Sequence, residues 1–154
     1  MGKSLGTILL WALRLVVGGL FIYAGIVKIW DFHGKGWATQ DFASDVQNFQ
    51  LTTWTISIIV AVYLPWVELV AGGAILIRRW QFGALALLGG LTVVFLGAIL
   101  SAWHRGLDIS CGCFGKENNA TNFPLHVAGD AALLVAIGLL WYLEARARKT
   151  AVTL

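Results

Sequence analysis

The sequence has little charge, little proline and almost no sulfur. Of its 154 residues, 12% are charged and 58% are hydrophobic, and it contains two prolines, two cysteines and one methionine. Soluble domains carry about 25% charged residues, so this composition excludes an ordinary soluble globular domain. The mean hydropathy of +0.78 and the eight tryptophans are instead typical of an integral membrane protein.

Several other features are also missing from the sequence. It contains no low-complexity run and no internal repeat, and its length predicts a single domain over residues 1–154. The net charge is only +3, and the basic residues stand near the ends of apolar segments. This distribution indicates membrane topology and argues against a nucleic-acid partner.

Four apolar segments are long enough to cross a bilayer. They run from Leu5 to Trp30, from Thr52 to Ile77, from Trp80 to Trp103 and from Pro124 to Glu144. Each exceeds the ~20 residues that a membrane-spanning helix needs. The runs are too long and too uniformly apolar for barrel strands. We therefore predict an all-α membrane protein, an antiparallel bundle of four transmembrane helices in the lipid bilayer.

The first segment also has the length of a signal peptide, but no A-x-A-like cleavage site follows it, so we expect it to be retained as a helix. The arginine and lysine clusters then favour cytoplasmic N and C termini in a bacterial inner membrane. In this orientation the basic residues of the cytoplasmic side are Lys3, Arg78, Arg79, Arg146, Arg148 and Lys149, and those of the outer side are Lys28, Lys35, Arg105 and Lys116.

The first outer loop, from Asp31 to Leu51, is predicted to contain a short interfacial helix. Thr39 is expected to cap this helix, and Phe42, Val46 and Phe49 fall on one of its faces. Such a helix lies on the bilayer surface or over the end of the bundle. An irregular loop is the alternative.

On two of the predicted transmembrane helices, charged residues share one face, or stripe, with small residues. Charged residues in a membrane face the interior of a bundle, and small residues allow helices to approach closely. The stripe of the first helix consists of Arg14, Gly18, Phe21, Gly25 and Lys28, that of the second of Pro65, Glu68 and Gly72, and the third helix has a glycine seam of Gly83, Gly90 and Gly97 that ends at His104.

Arg14 and Glu68 each lie nine residues from the predicted inner end of their helix. At 1.5 Å per residue this places both about 13–14 Å inside, which predicts an Arg14–Glu68 ion pair in the bundle core. A structural pair that fixes helix order is one interpretation. A proton or quinone site is the other.

Both cysteines stand in the stretch D-I-S-C-G-C-F-G of the second outer loop, as Cys111 and Cys113. A bridge across one residue is strained and therefore easily reduced, which suits exchange better than bracing. The polar groups that we expect near the thiols, and that favour a thiolate, are Lys28, His104, Asp108, His126 and Asp130.

Two alternatives for the cysteine pair remain open. Cys111 and Cys113 have the ligand types of a metal site together with His104 and His126, although C-x-C is shorter than the usual ligand spacing. Two inert or permanently bridged thiols are the other alternative. The sequence has no C-x-x-C-H haem motif.

Three stretches resemble a known family. They are R-L-V-V-G-G-L-F-I-Y-A-G-I-V-K at 14–28, L-P-W-V-E-L-V-A-G at 64–72 and D-I-S-C-G-C-F-G at 108–115. Together they are similar to the MauE branch of the DoxX-like membrane proteins, over nearly the whole chain. The C-G-C-F-G element is the specific part of this resemblance.

The resemblance implies a four-helix inner-membrane bundle with a role in periplasmic thiol–disulfide chemistry. Relatives are associated with maturation of the disulfide-rich small subunit of methylamine dehydrogenase, alongside a thioredoxin-like partner. Cys111 and Cys113 would then be the redox pair, with Arg14, Lys28 and Glu68 as family positions. The chain differs from quinone-linked disulfide oxidases such as DsbB because it has no second cysteine pair.

Three functions follow as hypotheses. The first is a thiol–disulfide oxidoreductase that exchanges disulfides or electrons with a periplasmic thioredoxin-like partner through Cys111 and Cys113. The second is a non-catalytic accessory or assembly subunit of a larger membrane complex. The third is a membrane carrier or quinone-binding protein that uses the Arg14–Glu68 region.

Overall fold

A computed structural model of the protein describes residues 2–31, 36–107 and 123–152. Within these residues the elements follow the order α1 (Gly2–Ile29), β1 (Trp30–Asp31), β2 (Gly36–Trp37), α2 (Thr39–Asn48), α3 (Trp54–Ala74), α4 (Gln81–His104) and α5 (Phe123–Val152). The helices α1, α3, α4 and α5 contain apolar spans of 21 to 25 residues, long enough to cross a membrane. The predicted all-α membrane protein with four spanning helices is confirmed.

Successive spanning helices run in opposite directions. We call the end at which α1 and α4 stop and α5 begins the loop end, and the opposite end the terminal end. Helix α1 packs mainly on α3, and α4 packs mainly on α5. Their shared apolar core includes Val17, Phe21, Ile75, Leu85, Leu88, Ile137 and Leu140.

Small residues bring α1 and α3 close together. A Cβ atom added at Gly18 would lie 2.8 Å from the carbonyl oxygen of Gly72, and one added at Gly25 would lie 2.8 Å from that of Pro65. Both distances are shorter than real Cβ contacts, so the backbones touch at these positions. The five stripe residues of α1 and the three of α3 are all buried, as their spacing predicts.

The prediction that the glycine seam of α4 packs closely against a neighbouring helix is wrong within the described residues. Gly83, Gly90 and Gly97 are exposed, and a Cβ atom added at any of them would meet no atom within 4 Å. The glycine at the contact with α5 is instead Gly89, 3.6 Å from a methyl group of Ile137 by the same construction. The core face of α4 is carried by larger residues that fill the space towards α5.

The predicted short helix of the first loop is confirmed as α2. It begins at Thr39, but Ala38 stands at the cap position and makes no side-chain capping bond, so Thr39 as cap is wrong by one residue. Phe42 and Phe49 are buried, as the predicted apolar face requires. The helix packs on α3 at the loop end, where the Ser57 hydroxyl donates to the side-chain oxygen of Gln47 over 3.0 Å.

A glycine ends α4 and turns the chain into the cysteine loop. Gly106 has a φ of +65°, and the amide of Leu107 donates to the carbonyl of Ala102 over 3.1 Å. These are features of a Schellman-type helix end. Leu107 packs on the buried cluster of Phe49, Ile99 and Ala102, so the end of α4 is fixed against α2. The guanidinium of Arg105 adds a hydrogen bond to the carbonyl of Phe49.

Candidate functional site

A buried ion pair joins α1 to α3 near the loop end. The ammonium group of Lys28 donates to both carboxylate oxygens of Glu68, each at 2.8 Å. Lys28 is 3% exposed and Glu68 is 1% exposed. The rings of Phe42 from α2 and Phe95 from α4 each lie 5.5 Å from the Lys28 nitrogen, within the range of cation–π attraction. The cation is therefore held by one carboxylate and two aromatic faces.

A small cavity adjoins this pair and touches all four spanning helices. Its volume is about 30 Å³, and it is lined by Leu20, Phe21, Ala24, Lys28, Glu68, Thr92, Phe95, Asp130 and Leu133. A cavity of this size holds single water molecules and is far below the ~300–1,000 Å³ of pockets for larger organic ligands. This size does not favour the predicted quinone site in the described part of the bundle.

Asp130 contributes a second carboxylate to the cavity. Its Oδ2 atom is buried, and no described residue donates a hydrogen bond to it. Lys28 and His126 are the basic side chains near this carboxyl group. His126 precedes Asp130 by one helical turn, towards the loop end. The site therefore combines one ammonium, two carboxylates and an imidazole in a largely apolar surrounding, a set of groups that can accept and release protons.

The predicted Arg14–Glu68 ion pair is wrong. Glu68 pairs with Lys28, and Arg14 pairs with Glu144. The close contacts of Gly18 with Gly72 and of Gly25 with Pro65 fix the register of the two antiparallel helices. In this register Glu68 lies beside residue 22, which is eight residues, or about 12 Å, from Arg14 along α1.

The direction of the side chains also favours the observed partners. Side chains on a helix lean towards its N-terminus. Lys28 therefore leans back along α1 towards the level of Glu68, and Glu68 leans along α3 towards the loop end. Arg14 leans the other way, towards the terminal end. Depth counted from the predicted helix ends could not by itself decide whether Arg14 or Lys28 pairs with Glu68.

A second buried polar cluster lies at the terminal end. The Nε atom of Arg14 donates to Oε1 of Glu144 over 2.8 Å, and the Nε2 atom of Gln81 donates to Oε2 of Glu144 over 2.9 Å. The guanidinium of Arg14 also lies over the ring of Trp11, 5.1 Å from its centroid. The cluster joins α1, α4 and α5, and its carboxylate has a hydrogen-bond donor at each oxygen.

Glu144, the partner of Arg14, and Gln81, which donates to Glu144, are members of this buried cluster that the sequence analysis missed. Glu144 was taken as the end of the last apolar segment, but α5 continues eight residues further, to Val152. Asp130, Ile137 and Glu144 follow one another at intervals of seven, and Ile137 and Glu144 are buried. This spacing was the signal that places Glu144 on the inward face of α5.

The remaining predicted site residues divide into three groups. His126 and Asp130 share one face of α5, and Asp130 lines the cavity with Lys28. His104 ends α4 with its side chain exposed and does not line that cavity. Asp108, Cys111 and Cys113 lie outside the described residues, so their convergence on the site stays a prediction. Within the described residues, no three His, Cys, Asp or Glu side chains are placed to hold a metal ion.

A family model described as "Methylamine utilisation protein MauE" matches residues 6–143. The chain belongs to the MauE family. The methylamine utilization protein MauE of Paracoccus denitrificans is 30% identical over 106 residues, which cover 68% of this chain and 53% of that protein. This chain thus spans about half the length of that relative. No solved protein structure matches it.

The MauE match contains most of the buried polar network. Arg14, Lys28, Glu68 and Asp130 all fall inside the matched residues, and Glu144 is the first residue beyond them. The match also spans the C-G-C stretch between α4 and α5. The family resemblance seen in the sequence motifs is therefore confirmed for this integral membrane protein.

Proposed function

We propose that this MauE-family protein is a membrane thiol–disulfide oxidoreductase whose redox pair is Cys111 and Cys113. These are the two cysteines of the chain, and a single glycine separates them. The observation that carries the proposal is the position of the two cysteines between α4 and α5. Their segment follows α4, which ends at His104, and precedes α5, which begins at Phe123. Both helix ends lie at the loop end, and Asp130, which lines the cavity with Lys28 and Glu68, stands seven residues into α5.

The chemistry is thiol–disulfide exchange. The thiolate of one cysteine attacks a disulfide sulfur of a partner protein, forms a mixed disulfide and expels one partner thiolate. The second cysteine then attacks the mixed disulfide, so the pair becomes a disulfide and the partner a dithiol. In the reverse direction the same steps oxidise a partner dithiol. Two electrons and two protons are exchanged in each direction.

Forming the attacking thiolate requires a proton acceptor. His126 and Asp130 stand on the first two turns of α5, and Asp130 reaches the cavity in which Lys28 and Glu68 are paired. We assign to His126 and Asp130 the exchange of protons with the thiols, and to Lys28 the stabilisation of negative charge at the loop end. In this assignment Glu68 holds Lys28 in place through the two hydrogen bonds.

The partner that fits this chemistry is a periplasmic thioredoxin-like protein with its own dithiol. The basic residues Arg78, Arg79, Arg146 and Arg148 all belong to the terminal end, which supports cytoplasmic termini in a bacterial inner membrane and an outer loop end. The name of the Paracoccus relative supports methylamine utilisation as the setting. Maturation of a disulfide-rich subunit of methylamine dehydrogenase is the process we propose.

Trapping of the mixed disulfide tests this proposal. Cys111→Ser and Cys113→Ser variants are expressed separately in the host of the protein, and mixed disulfides are resolved by non-reducing electrophoresis and mass spectrometry. One single variant is expected to accumulate a reducible adduct with a dithiol protein, because the resolving cysteine is absent. The double variant is the matched control and should trap nothing. Absence of an adduct in both single variants, with unchanged maturation of the substrate, would contradict the proposal.

A non-catalytic role as an accessory or assembly subunit is the second candidate. The observation in its favour is that Gly90 and Gly97 lie open on the exposed side of α4, where a helix of another membrane protein could approach closely. This role predicts that a large membrane partner co-purifies with the chain and that loss of both cysteines leaves its function intact. Replacing Cys111 and Cys113 together therefore separates the two candidates.

A further inference from the structure

An open groove runs between α3 and α4 on the outside of the bundle. Its volume is about 620 Å³, within the ~300–1,000 Å³ range of small-molecule sites. Its walls include Tyr63 and Val70 of α3 and Gly83 and Leu87 of α4. Tyr63 is 66% exposed and Val70 is 68% exposed, so the groove faces the surroundings of the bundle and not its core.

The length of the groove matches one leaflet of a bilayer. Its lining residues on α3 extend from Tyr63 to Ala74. Eleven residues of helix span about 16 Å, roughly half of the ~30 Å hydrocarbon core. The groove begins at the turn between the two helices, at the terminal end. An acyl chain of one leaflet can therefore lie along its apolar wall.

A cationic group stands at the mouth of the groove. Arg79 lines it there beside Trp80, and it is the charged residue among the described lining residues. Tryptophan is common where a span meets the lipid headgroups, which places this mouth at headgroup level. Arg78 adjoins it in the chain, and the guanidinium of Arg148 donates a hydrogen bond to the carbonyl of Arg78, which brings a third cation to this turn.

The nearby carboxylate does not neutralise this positive charge. Within the described residues of the terminal end, Glu144 is buried and is already bound by Arg14 and Gln81. The mouth of the groove is therefore positive, while its wall is apolar. Basic pockets between transmembrane helices are suited to anionic lipid headgroups, and the arginine fork matches phosphate geometry.

We propose that this groove is a binding site for an anionic phospholipid. One acyl chain lies along α3 and α4 between Tyr63 and Leu87, and the phosphate contacts Arg79. The argument rests on the shape, length and charge of the groove. It is independent of the thiol chemistry proposed above.

Native mass spectrometry of the full chain in detergent micelles tests this site. Phosphatidylglycerol and phosphatidylcholine with identical acyl chains are titrated separately, and bound lipid is counted. The wild-type protein is expected to retain phosphatidylglycerol preferentially. Arg79→Gln should weaken this binding about fivefold, which corresponds to about 1 kcal/mol for one arginine. Arg146→Gln is the charge-matched control, because Arg146 lies at the same end and stacks on Tyr142, outside the groove.

A pair of glycine variants tests the apolar wall. Gly83 lines the groove and Gly90 does not, yet a Cβ atom at either position would meet nothing within 4 Å. Gly83→Leu should therefore fill the groove without disturbing the fold and reduce bound phosphatidylglycerol. Gly90→Leu should leave it unchanged. Equal helix content and melting temperature of the two variants show that any difference comes from the groove.

Three results would overturn the proposal. Equal retention of the two lipids would mean that the groove makes only general lipid contacts. Equal weakening by Arg79→Gln and Arg146→Gln would assign the preference to overall charge. Dimers of the chain that Gly83→Leu dissociates would show that a second copy covers this face.

Discussion

Lys28 and Glu68 are forty residues apart in the chain, yet the ammonium group of Lys28 lies 2.8 Å from each carboxylate oxygen of Glu68. This pair joins the C-terminal end of α1 to the second half of α3, and the ring of Phe42 of α2 lies 5.5 Å from the Lys28 nitrogen. The contact therefore links the packing of α1, α2 and α3 to the cavity that Asp130 of α5 also lines. This arrangement has one measurable consequence for the free energy of unfolding and another for which charged residues are energetically coupled.

Removing either partner of this pair should destabilise the protein strongly. Lys28→Met or Glu68→Met leaves an unpaired charge in the bundle, and each is expected to lower the free energy of unfolding by about 3–5 kcal/mol. The double variant Lys28→Met/Glu68→Met should lose less than either single variant, because no charge is left buried. Reversible unfolding in detergent measures all three. A double variant whose loss equals the sum of the single losses would show that the two residues are not a pair.

The register of α1 and α3 predicts which residues are energetically coupled. Double-mutant cycles with methionine should give a coupling energy of about 1.5–3 kcal/mol for Arg14 with Glu144. The coupling of Arg14 with Glu68 should stay within about 0.5 kcal/mol, because the two do not touch. Unfolding of the single and double variants supplies both numbers. Coupling of Arg14 to Glu68 in place of Glu144 would require a different helix register.

The glycines between α1 and α3 should not tolerate a methyl group. Gly18→Ala is expected to cost about 1–3 kcal/mol, because its Cβ atom would lie 2.8 Å from the carbonyl oxygen of Gly72. The neighbouring Gly19 is exposed and open, so Gly19→Ala is the control and should be neutral or slightly stabilising. Melting temperatures in detergent report the comparison. If the two variants melt together, the helices are not in close contact at Gly18.

Asp130 should matter more for thiol exchange than for stability. Asp130→Asn is expected to change the free energy of unfolding by less than about 1 kcal/mol, because Oδ2 has no hydrogen-bond donor among the described residues. The rate of thiol–disulfide exchange should fall by about 10²-fold if Asp130 serves as a proton acceptor. Asp41→Asn, which removes an exposed carboxylate of α2, should leave the rate unchanged. Exchange at the wild-type rate in Asp130→Asn would exclude this role.

The sequence was sufficient for the spanning helices and for the inward faces of α1 and α3. The apolar lengths and the three-and-four spacing of the α1 stripe from Arg14 to Lys28 are local properties, and the structure buries all five residues of that stripe. The short helix α2 followed from the spacing of Phe42 and Phe49 in the same way. These features depend on periodicity, which each segment carries by itself.

The partners of the charged residues could not be derived in the same way. Whether Glu68 meets Arg14 or Lys28 depends on a register that the contacts of Gly18 and Gly25 set between two distant segments. Depth from predicted helix ends was too coarse, since α5 runs to Val152 and places Glu144 inside the bundle. The exposure of Gly83 likewise depends on which face of α4 packs against α5. Such choices are properties of the assembled bundle.

The redox state of the cysteine pair tests the central claim most directly. The purified full chain is alkylated with and without prior reduction, and labelled Cys111 and Cys113 are counted by mass spectrometry after exposure to reduced or oxidised thioredoxin-like protein. A pair that passes between two thiols and one disulfide, with the opposite change in the partner, is the predicted result. A pair that stays reduced, or stays bridged, under both treatments would contradict the redox function and support the accessory role.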